Sequence, residues 1–151
     1  MERTPMTVLP DPERQPDFYK DVPLKRLLAW CIDAVITGLA CIIILPFTAF
    51  TGIFFFPLLF LIVGFAYRTV TIANTSATWG MRVLAIELRK ADGEQMDAAS
   101  AFAHTTGYTL SWFVPVFQLI SIIMMASTAR GQGLSDHVLG SVMINRRALL
   151  R

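Results

Sequence analysis

Two long uncharged stretches dominate the pattern of polar and apolar positions along the chain. The first runs from Leu27 to Tyr67, where Asp33 is the only charged residue among 41, and the second runs from Thr105 to Ala129. A helix needs roughly 20 apolar residues to cross a bilayer core, so the first stretch is long enough for two helices and the second for one. A buried helix of a soluble protein is the alternative, but soluble domains of this size rarely contain such runs. The pattern therefore predicts an integral membrane protein.

Breaks inside the first stretch predict where its helices begin and end. We expect helix one over about 24–45, a turn carried by Pro46, Thr48 and Gly52, and helix two over about 53–73. The turn carries no charge, so it can pass through the bilayer at low cost.

The connector beyond helix two has the pattern of a short β-hairpin. Ile86 and Leu88 alternate with charged neighbours, and Asp92-Gly93 follows, which is a favoured hairpin turn pair. A continuous amphipathic helix is the alternative, but Gly93 would interrupt it. The helical pattern resumes near Asp97, which suits an N-cap position.

The second uncharged stretch leaves two arrangements open. It can form a single span kinked at Pro115, which would send the following segment to the far side of the membrane. It can also form a bent hairpin, with 97–113 going in and 116–128 returning, although the second arm is short for a full crossing. The chain after this stretch carries Arg130, Arg146, Arg147 and Arg151. Basic residues concentrate on the cytoplasmic side of a membrane protein, and only the hairpin returns this segment to the cytoplasm, so the charges favour the hairpin.

Composition and charge narrow the fold class. Hydrophobic residues make up 54% of the 151 and charged residues 16%, and the net charge of +2 is too small to suggest nucleic acid as a partner. The basic residues before helix one and after helix two place the N-terminus and the connector in the cytoplasm. We therefore expect an all-α membrane protein with three to four transmembrane or re-entrant helices and a short cytoplasmic β-hairpin-like connector.

Asp33 is the main candidate for chemistry. An aspartate near a helix centre costs about 2.5–3.5 kcal/mol on insertion scales, so it needs a partner or a watery cavity. Arg26 shares its helical face but lies about 10 Å away along the axis, beyond direct contact for most rotamers. Ala29, Thr37 and Ala40 continue this face with small residues that let another helix approach, so Asp33 is expected to face protein. Three interpretations stay open: a cross-helix hydrogen bond, a proton- or cation-binding carboxylate, and a partner contact.

Other reactive residues give no sign of an enzyme. Cys31 and Cys41 lie about 15 Å apart on one predicted helix, too far to pair with each other. His104 and His137 have no partners at metal-ligand spacing, and no phosphate loop or nucleophile motif is present. We expect no enzymatic activity, no cofactor and no metal. The first apolar run begins too late and is too long to resemble a cleaved signal peptide.

Three segments together resemble the RDD family of membrane proteins, named for one arginine and two aspartates. The first is Leu24-Lys-Arg-Leu-Leu-Ala-Trp-Cys-Ile-Asp33, in which Arg26 and Asp33 match the family's arginine and first aspartate. The second is Thr78-Trp-Gly80 with the strand and turn that follow it. The third is Arg130-Gly-Gln-Gly-Leu-Ser-Asp136, followed by Leu139-Gly-Ser141, and it supplies the second aspartate.

Three positions depart from the family pattern. Met81 stands where a lysine commonly follows the glycine, and His104 lies near a position often held by arginine. At Met81 and His104 the chain therefore lacks the lysine and the arginine, with their positive charges, that the family commonly has there. Ser141 replaces a usual threonine, which is a mild change.

The resemblance implies a division of the chain and a pairing of charges. The many prolines and mixed charges of residues 1–23 predict a flexible cytoplasmic tail, while the resemblance implies an RDD-type membrane domain at 24–145, followed by a basic C-terminal tail at 146–151. If Asp136 is to meet Arg26 near the cytoplasmic interface, the chain must return to the cytoplasm after its last membrane segment. Asp33 would then sit deeper, facing the helix bundle.

The resemblance also implies a class of function. It points to transport of a small solute or ion across the cell (inner) membrane by a multi-pass protein, with Asp33 as a protonatable site and the substrate unspecified. In the alternative, the protein is a non-transporting membrane accessory or assembly protein, and Arg26, Asp33 and Asp136 are structural. The expected partners are the lipid bilayer and a second copy or a larger membrane complex, because so few helices leave little room for a pathway.

Overall fold

The computed structural model describes residues 9–150, most of which are helical. The helices are α1 Val22–Ile44, α2 Phe56–Thr75, α3 Trp79–Val83, α4 Ala98–Phe113, α5 Pro115–Ser127 and α6 Leu134–Leu139. The strands are β1 Ile86–Arg89 and β2 Val142–Asn145. Short 3₁₀ turns cover Pro16–Phe18, Leu45–Thr48, Thr51–Ile53 and Arg146–Leu150.

Two helical stretches are long and apolar enough to cross a membrane. They are Pro16–Thr48, which contains α1, and Phe56–Thr75, which is α2, and the bent α4–α5 pair raises the number to three if it counts as one span. The expected helices 24–45 and 53–73 therefore exist, with ends displaced by a few residues. Helix α2 starts later than expected because Pro57 occupies its first turn, where the missing N–H of proline costs nothing.

The second uncharged stretch forms two helices that turn sharply against each other. Helices α4 and α5 are bent by 119° at Val114, whose extended backbone is the conformation that a following proline favours. The N-terminal turn of α4 begins at Asp97, whose carboxylate accepts a hydrogen bond from the Ser100 amide as an N-cap. The chain thus turns back on itself between α4 and α5, as the bent hairpin requires.

The prediction of a β-hairpin within the connector is wrong, because the strand of the connector pairs with a different segment of the chain. Strand β1 pairs antiparallel with β2 near the end of the chain, with Ile86 opposite Asn145 and Arg89 opposite Val142. The turn at Asp92-Gly93 does form, but it closes only a single bridge between Arg89 and Gln95. A long-range strand supplies a full row of hydrogen bonds that the short return after Gly93 does not, so the sheet joins distant segments.

The segment before α1 packs against β2. Tyr19 is buried with Val142 and Ile144, and the Asn145 amide donates hydrogen bonds to the Asp17 and Lys20 carbonyls at 2.8 and 2.9 Å. Of the tail expected at 1–23, residues 1–8 lie outside the described residues, as does Arg151 of the expected basic tail.

We call the region around β1, β2 and the start of α1 the sheet end of the molecule. The end of α5 also lies there, because the Arg26 side chain donates a hydrogen bond to the Gly131 carbonyl. The main core is located at this end as well. It contains Val22, Ala29, Ile72, Ala77, Met81, Ile86, Leu88, Met96, Ala101 and Met143.

Away from the sheet end, the long helices expose many large apolar side chains. Among them are Val35, Leu39, Ile42 and Ile43 of α1, Leu58 and Ile62 of α2, and Val116, Leu119, Ile122 and Ile123 of α5. Continuous apolar surface of this kind is typical of helices that face lipid or a protein partner.

Candidate functional site: two buried carboxylates and a cavity

The carboxylate of Asp33 lies where three helices meet. Its Oδ1 accepts hydrogen bonds from the Tyr67 hydroxyl of α2 at 2.8 Å and from the Gly80 amide of α3 at 2.9 Å. Its Oδ2 accepts one from the Thr78 hydroxyl at 2.6 Å, and Arg68 Nη1 of α2 lies 3.7 Å away. Burying a carboxylate without such donors would cost several kcal/mol. The expectation that Asp33 faces protein is confirmed.

Helix α3 approaches α1 so closely that only glycine fits at position 80. A Cβ on Gly80 would lie 2.3 Å from the Ala29 carbonyl oxygen and 2.8 Å from Asp33 Oδ1. The Thr78 hydroxyl starts α3 by accepting a hydrogen bond from the Met81 amide at 3.2 Å while it donates to Asp33. Of the small-residue face predicted on α1, Ala29 therefore receives α3, while Thr37 lies close to Gly64 of α2.

A cavity of about 280 Å³ lies beside Asp33, between α1, α2 and α4. Asp33, Tyr67 and Arg68 line it together with apolar and aromatic side chains that include Trp30 and Trp112. Those two indole rings stack with their centres 5.9 Å apart, and both side chains are also exposed on the molecular surface. The cavity therefore combines charged groups with aromatic walls that are reachable from outside.

Arg68 lies inside this cavity against an aromatic ring. Its guanidinium carbon lies 4.2 Å from the centre of the Tyr108 ring of α4, a cation–π distance. The Tyr108 hydroxyl in turn accepts a hydrogen bond from the Trp30 indole at 2.9 Å. The positive charge that faces Asp33 is thus held between α2 and α4.

Asp136 forms a second buried centre at the sheet end. Its Oδ2 accepts hydrogen bonds from Arg26 Nη1 at 2.5 Å and from the Gly133 amide at 3.0 Å. Its Oδ1 lies 2.8 Å from His104 Nε2 and accepts a hydrogen bond from the Ser141 hydroxyl at 3.2 Å. This contact between Arg26 and Asp136 is the one that the family pattern implies.

Burial by itself raises the pKa of Asp136, but its partners outweigh that effect. The charge of Arg26, the hydrogen bond and charge of His104 and the Gly133 amide together hold the pKa of this carboxyl well below its ordinary value of 3.8. Each of these groups favours the ionised form. Asp136 is therefore a carboxylate throughout the physiological pH range.

The three residues predicted as a set fall into two centres. Arg26 joins Asp136, while Asp33 lies with Arg68 and the connector. Sequence reasoning missed Arg68 and His104 as partners, although Arg68 is the only charged residue in Phe56–Thr75 and so pointed to a buried opposite charge. Among residues 9–150, no group of three or more His, Cys, Asp or Glu side chains is placed to hold a metal ion.

The model of the RDD family matches residues 22–140, which contain Arg26, Asp33 and Asp136. The chain belongs to the RDD family. No match was found among curated proteins or among solved structures. Family membership and the long apolar helices together make this RDD protein a membrane protein.

The close approach at Gly80 predicts that a single methyl group will destabilise the RDD protein. We expect Gly80→Ala to lower the free energy of unfolding by about 1–3 kcal/mol, because the new Cβ meets backbone that cannot move aside. Gly38→Ala is the matched control, since its Cβ would meet only the Phe60 ring at 4.0 Å. Thermal unfolding of both variants in detergent, followed by circular dichroism, gives the comparison. Equal stability of the two variants would contradict the close approach.

The low pKa of Asp136 predicts that the protein loses stability in acid. The unfolded chain takes up a proton at this carboxyl near its ordinary pKa while the folded protein does not, so the free energy of unfolding falls as the pH drops below about 4. Asp136→Asn is expected to be less stable at neutral pH and to lack this part of the acid dependence. Asp92→Asn, at an exposed carboxylate, is the control. Unfolding curves between about pH 7 and about pH 3 test this, and parallel curves for wild type and Asp136→Asn would contradict it.

Proposed function

We propose that this RDD protein binds a small solute or ion within the membrane and takes part in its transport. The cavity of about 280 Å³ beside Asp33 is the observation that carries this proposal. Charged side chains in membrane helices are costly, so they are seldom retained without a role, and here a charged pair lines a cavity between such helices. The cavity volume lies just below the range that is typical of small-molecule sites, about 300–1,000 Å³.

In this proposal Asp33 acts through Arg68. The carboxylate lies 3.7 Å from Arg68 Nη1, so its negative charge holds the guanidinium in the cavity. A proton on Asp33 would remove that attraction and release Arg68 towards a solute. Asp33 is then the protonatable site of transport, and the solute itself meets Arg68.

The protein lies in the cell (inner) membrane as a multi-pass protein, with its N-terminus and sheet end in the cytoplasm. The positive-inside rule supports this orientation, because the basic residues gather at or near the sheet end while the α1–α2 turn at residues 45–55 is uncharged. The basic residues concerned are Lys20, Lys25, Arg26, Arg82, Arg89, Lys90, Arg130, Arg146 and Arg147. Lipid covers the exposed apolar helix faces, and a second copy or a larger complex completes the pathway.

This orientation predicts the location of two reporters. Alkaline phosphatase fused after Arg151 is expected to be inactive, because it stays in the cytoplasm, whereas a fusion that ends at Ala49 in the α1–α2 turn is expected to be active. Green fluorescent protein at the same points should give the opposite pattern. An active phosphatase after Arg151 would overturn both the orientation and the return of the chain through the α4–α5 hairpin.

A second candidate function rests on the completeness of both buried centres. Asp136 has four partners and Asp33 has three hydrogen-bond donors, so each carboxylate already serves to hold helices together. In this alternative the RDD protein is a non-transporting accessory or assembly protein of the membrane. Neither candidate function is enzymatic or needs a cofactor.

Filling the cavity separates the two functions. We expect Ala34→Phe, which places a ring in the cavity lining, to reduce flux through vesicles to the level of empty vesicles. Ala66→Phe is the matched control, because Ala66 is exposed on α2 and does not line the cavity. Vesicles that contain dyes for H⁺, Na⁺, K⁺ and Cl⁻ provide the measurement, and circular dichroism verifies the fold of each variant.

Asp33→Asn gives the second part of this test. The amide loses the charge that holds Arg68, and one of its hydrogen atoms would face a donor, so we expect lower folded yield together with lost flux in the folded fraction. Flux that survives both Ala34→Phe and Asp33→Asn would reject the cavity as the transport site and Asp33 as its protonatable group. A wild-type protein that moves none of the four ions and co-purifies with a fixed membrane partner would favour the accessory role.

A further inference from the structure

The guanidinium of Arg68 lacks the hydrogen-bond acceptors that buried arginines normally have. Its side chain is only 12% exposed, its Nε is buried without a partner, and no residue among 9–150 accepts a hydrogen bond from it. The nearest carboxylate oxygen, on Asp33, lies 3.7 Å from Nη1, which is beyond hydrogen-bond distance. A guanidinium carries five N–H donors, so this cavity holds an unusual excess of donors.

Two other buried charges, Arg26 and Asp33, do not share this shortage. Arg26 donates to Asp136 and to the Gly131 carbonyl, both within 3.2 Å. Asp33 accepts from the three donors at Tyr67, Thr78 and Gly80, which lie on the α2 and α3 side of the carboxylate. The donors around Asp33 are thus matched by its oxygens, and the unmatched group in the cavity is Arg68.

The walls around Arg68 determine what else a ligand must have. Tyr108 lies beneath the guanidinium, and the remaining lining is rich in aromatic and aliphatic side chains, including Phe60, Leu61, Phe65 and Trp112. An oxyanion satisfies a guanidinium with short, charge-assisted hydrogen bonds, while an alkyl chain suits the apolar walls. The cavity is too small for a phospholipid with two chains, so it fits a single-chain amphiphile.

We infer that the cavity binds a single-chain amphipathic anion, with a carboxylate or similar oxyanion on Arg68 and its apolar chain along the aromatic wall. This inference rests on the proposed solute-binding function and specifies the class of its ligand. The negative charge of Asp33 repels an anion, but the oxygens of Asp33 already face three hydrogen-bond donors. The ligand's head group therefore approaches the donors of Arg68 that Asp33 does not reach.

Binding of three amphiphiles with the same chain length tests this inference. Octanoate, 1-octanol and octyltrimethylammonium carry negative, zero and positive charge, and each is added to the full chain in nanodiscs of phosphatidylcholine. Trp30 and Trp112 line the cavity, so their fluorescence reports occupancy, and Trp79→Phe removes the signal of the tryptophan that does not line it. We expect octanoate to bind about tenfold or more tightly than the other two.

Variants at two arginines show whether Arg68 is responsible. Arg68→Gln is expected to weaken octanoate binding about tenfold or more and to leave 1-octanol binding unchanged, whereas Arg68→Lys retains part of the affinity. Arg82→Gln is the matched control, because Arg82 is exposed on α3 and does not line the cavity. If Arg68→Gln does not fold, Ala34→Phe in the folded wild-type background supplies the loss of octanoate binding that the inference requires.

The outcomes separate this inference from the function on which it rests. The inferred preference for an anion would be overturned if octanoate binds no more tightly than 1-octanol, or if wild type and Arg68→Gln bind octanoate equally. Either result would leave a cavity that binds amphiphiles in general. Absence of binding by all three probes, together with ion flux that Ala34→Phe does not change, would reject the solute-binding function as well.

Discussion

A carboxylate cannot be buried among apolar helices unless other parts of the chain bring donors to it, and this constraint shapes the whole protein. Asp33 meets the requirement with donors from α2 and α3, so its burial draws the connector onto α1. Asp136 meets it with Arg26 of α1 and His104 of α4. The two centres tie α2, α3, α4 and α6 to the first half of α1. The core at the sheet end fills the space between the two centres.

Sequence alone was enough for the features that depend on local pattern. The long apolar runs predicted α1 and α2, Pro115 predicted the break between α4 and α5, and Asp97 marked a helix start, because each of these signals acts over a few residues. The pair of Arg26 and Asp136 was also predictable, since the family pattern names both residues. Family membership therefore carried the one long-range contact that was anticipated.

Features that depend on distant segments were not predictable in the same way. The turn at Asp92-Gly93 forms as its sequence indicates, yet β1 takes β2 as its partner because pairing strength is decided by strands that meet only in the folded protein. Gly80 belongs to a segment that resembles the family pattern, but its role was not predictable, since that role is to leave room for the Ala29 carbonyl and Asp33. Arg68 was visible as a lone charge, but its position over Tyr108 needed the packing of α2 on α4.

The two buried centres differ in a way that bears on function. Every partner of Asp136 is within hydrogen-bond distance, and a carboxylate so fully matched is suited to hold α1, α4 and α6 in one arrangement. The Asp33 centre is matched on the carboxylate side only, because Arg68 faces it at 3.7 Å and donates no hydrogen bond within the described part of the chain. Arg68 keeps N–H donors that no described residue accepts, and in the proposal a proton on Asp33 releases it, whereas Arg26 cannot leave Asp136 without leaving a buried charge unpaired. The geometry therefore suits the centre at Asp136 to stability, and the proposed binding rests on the centre at Asp33.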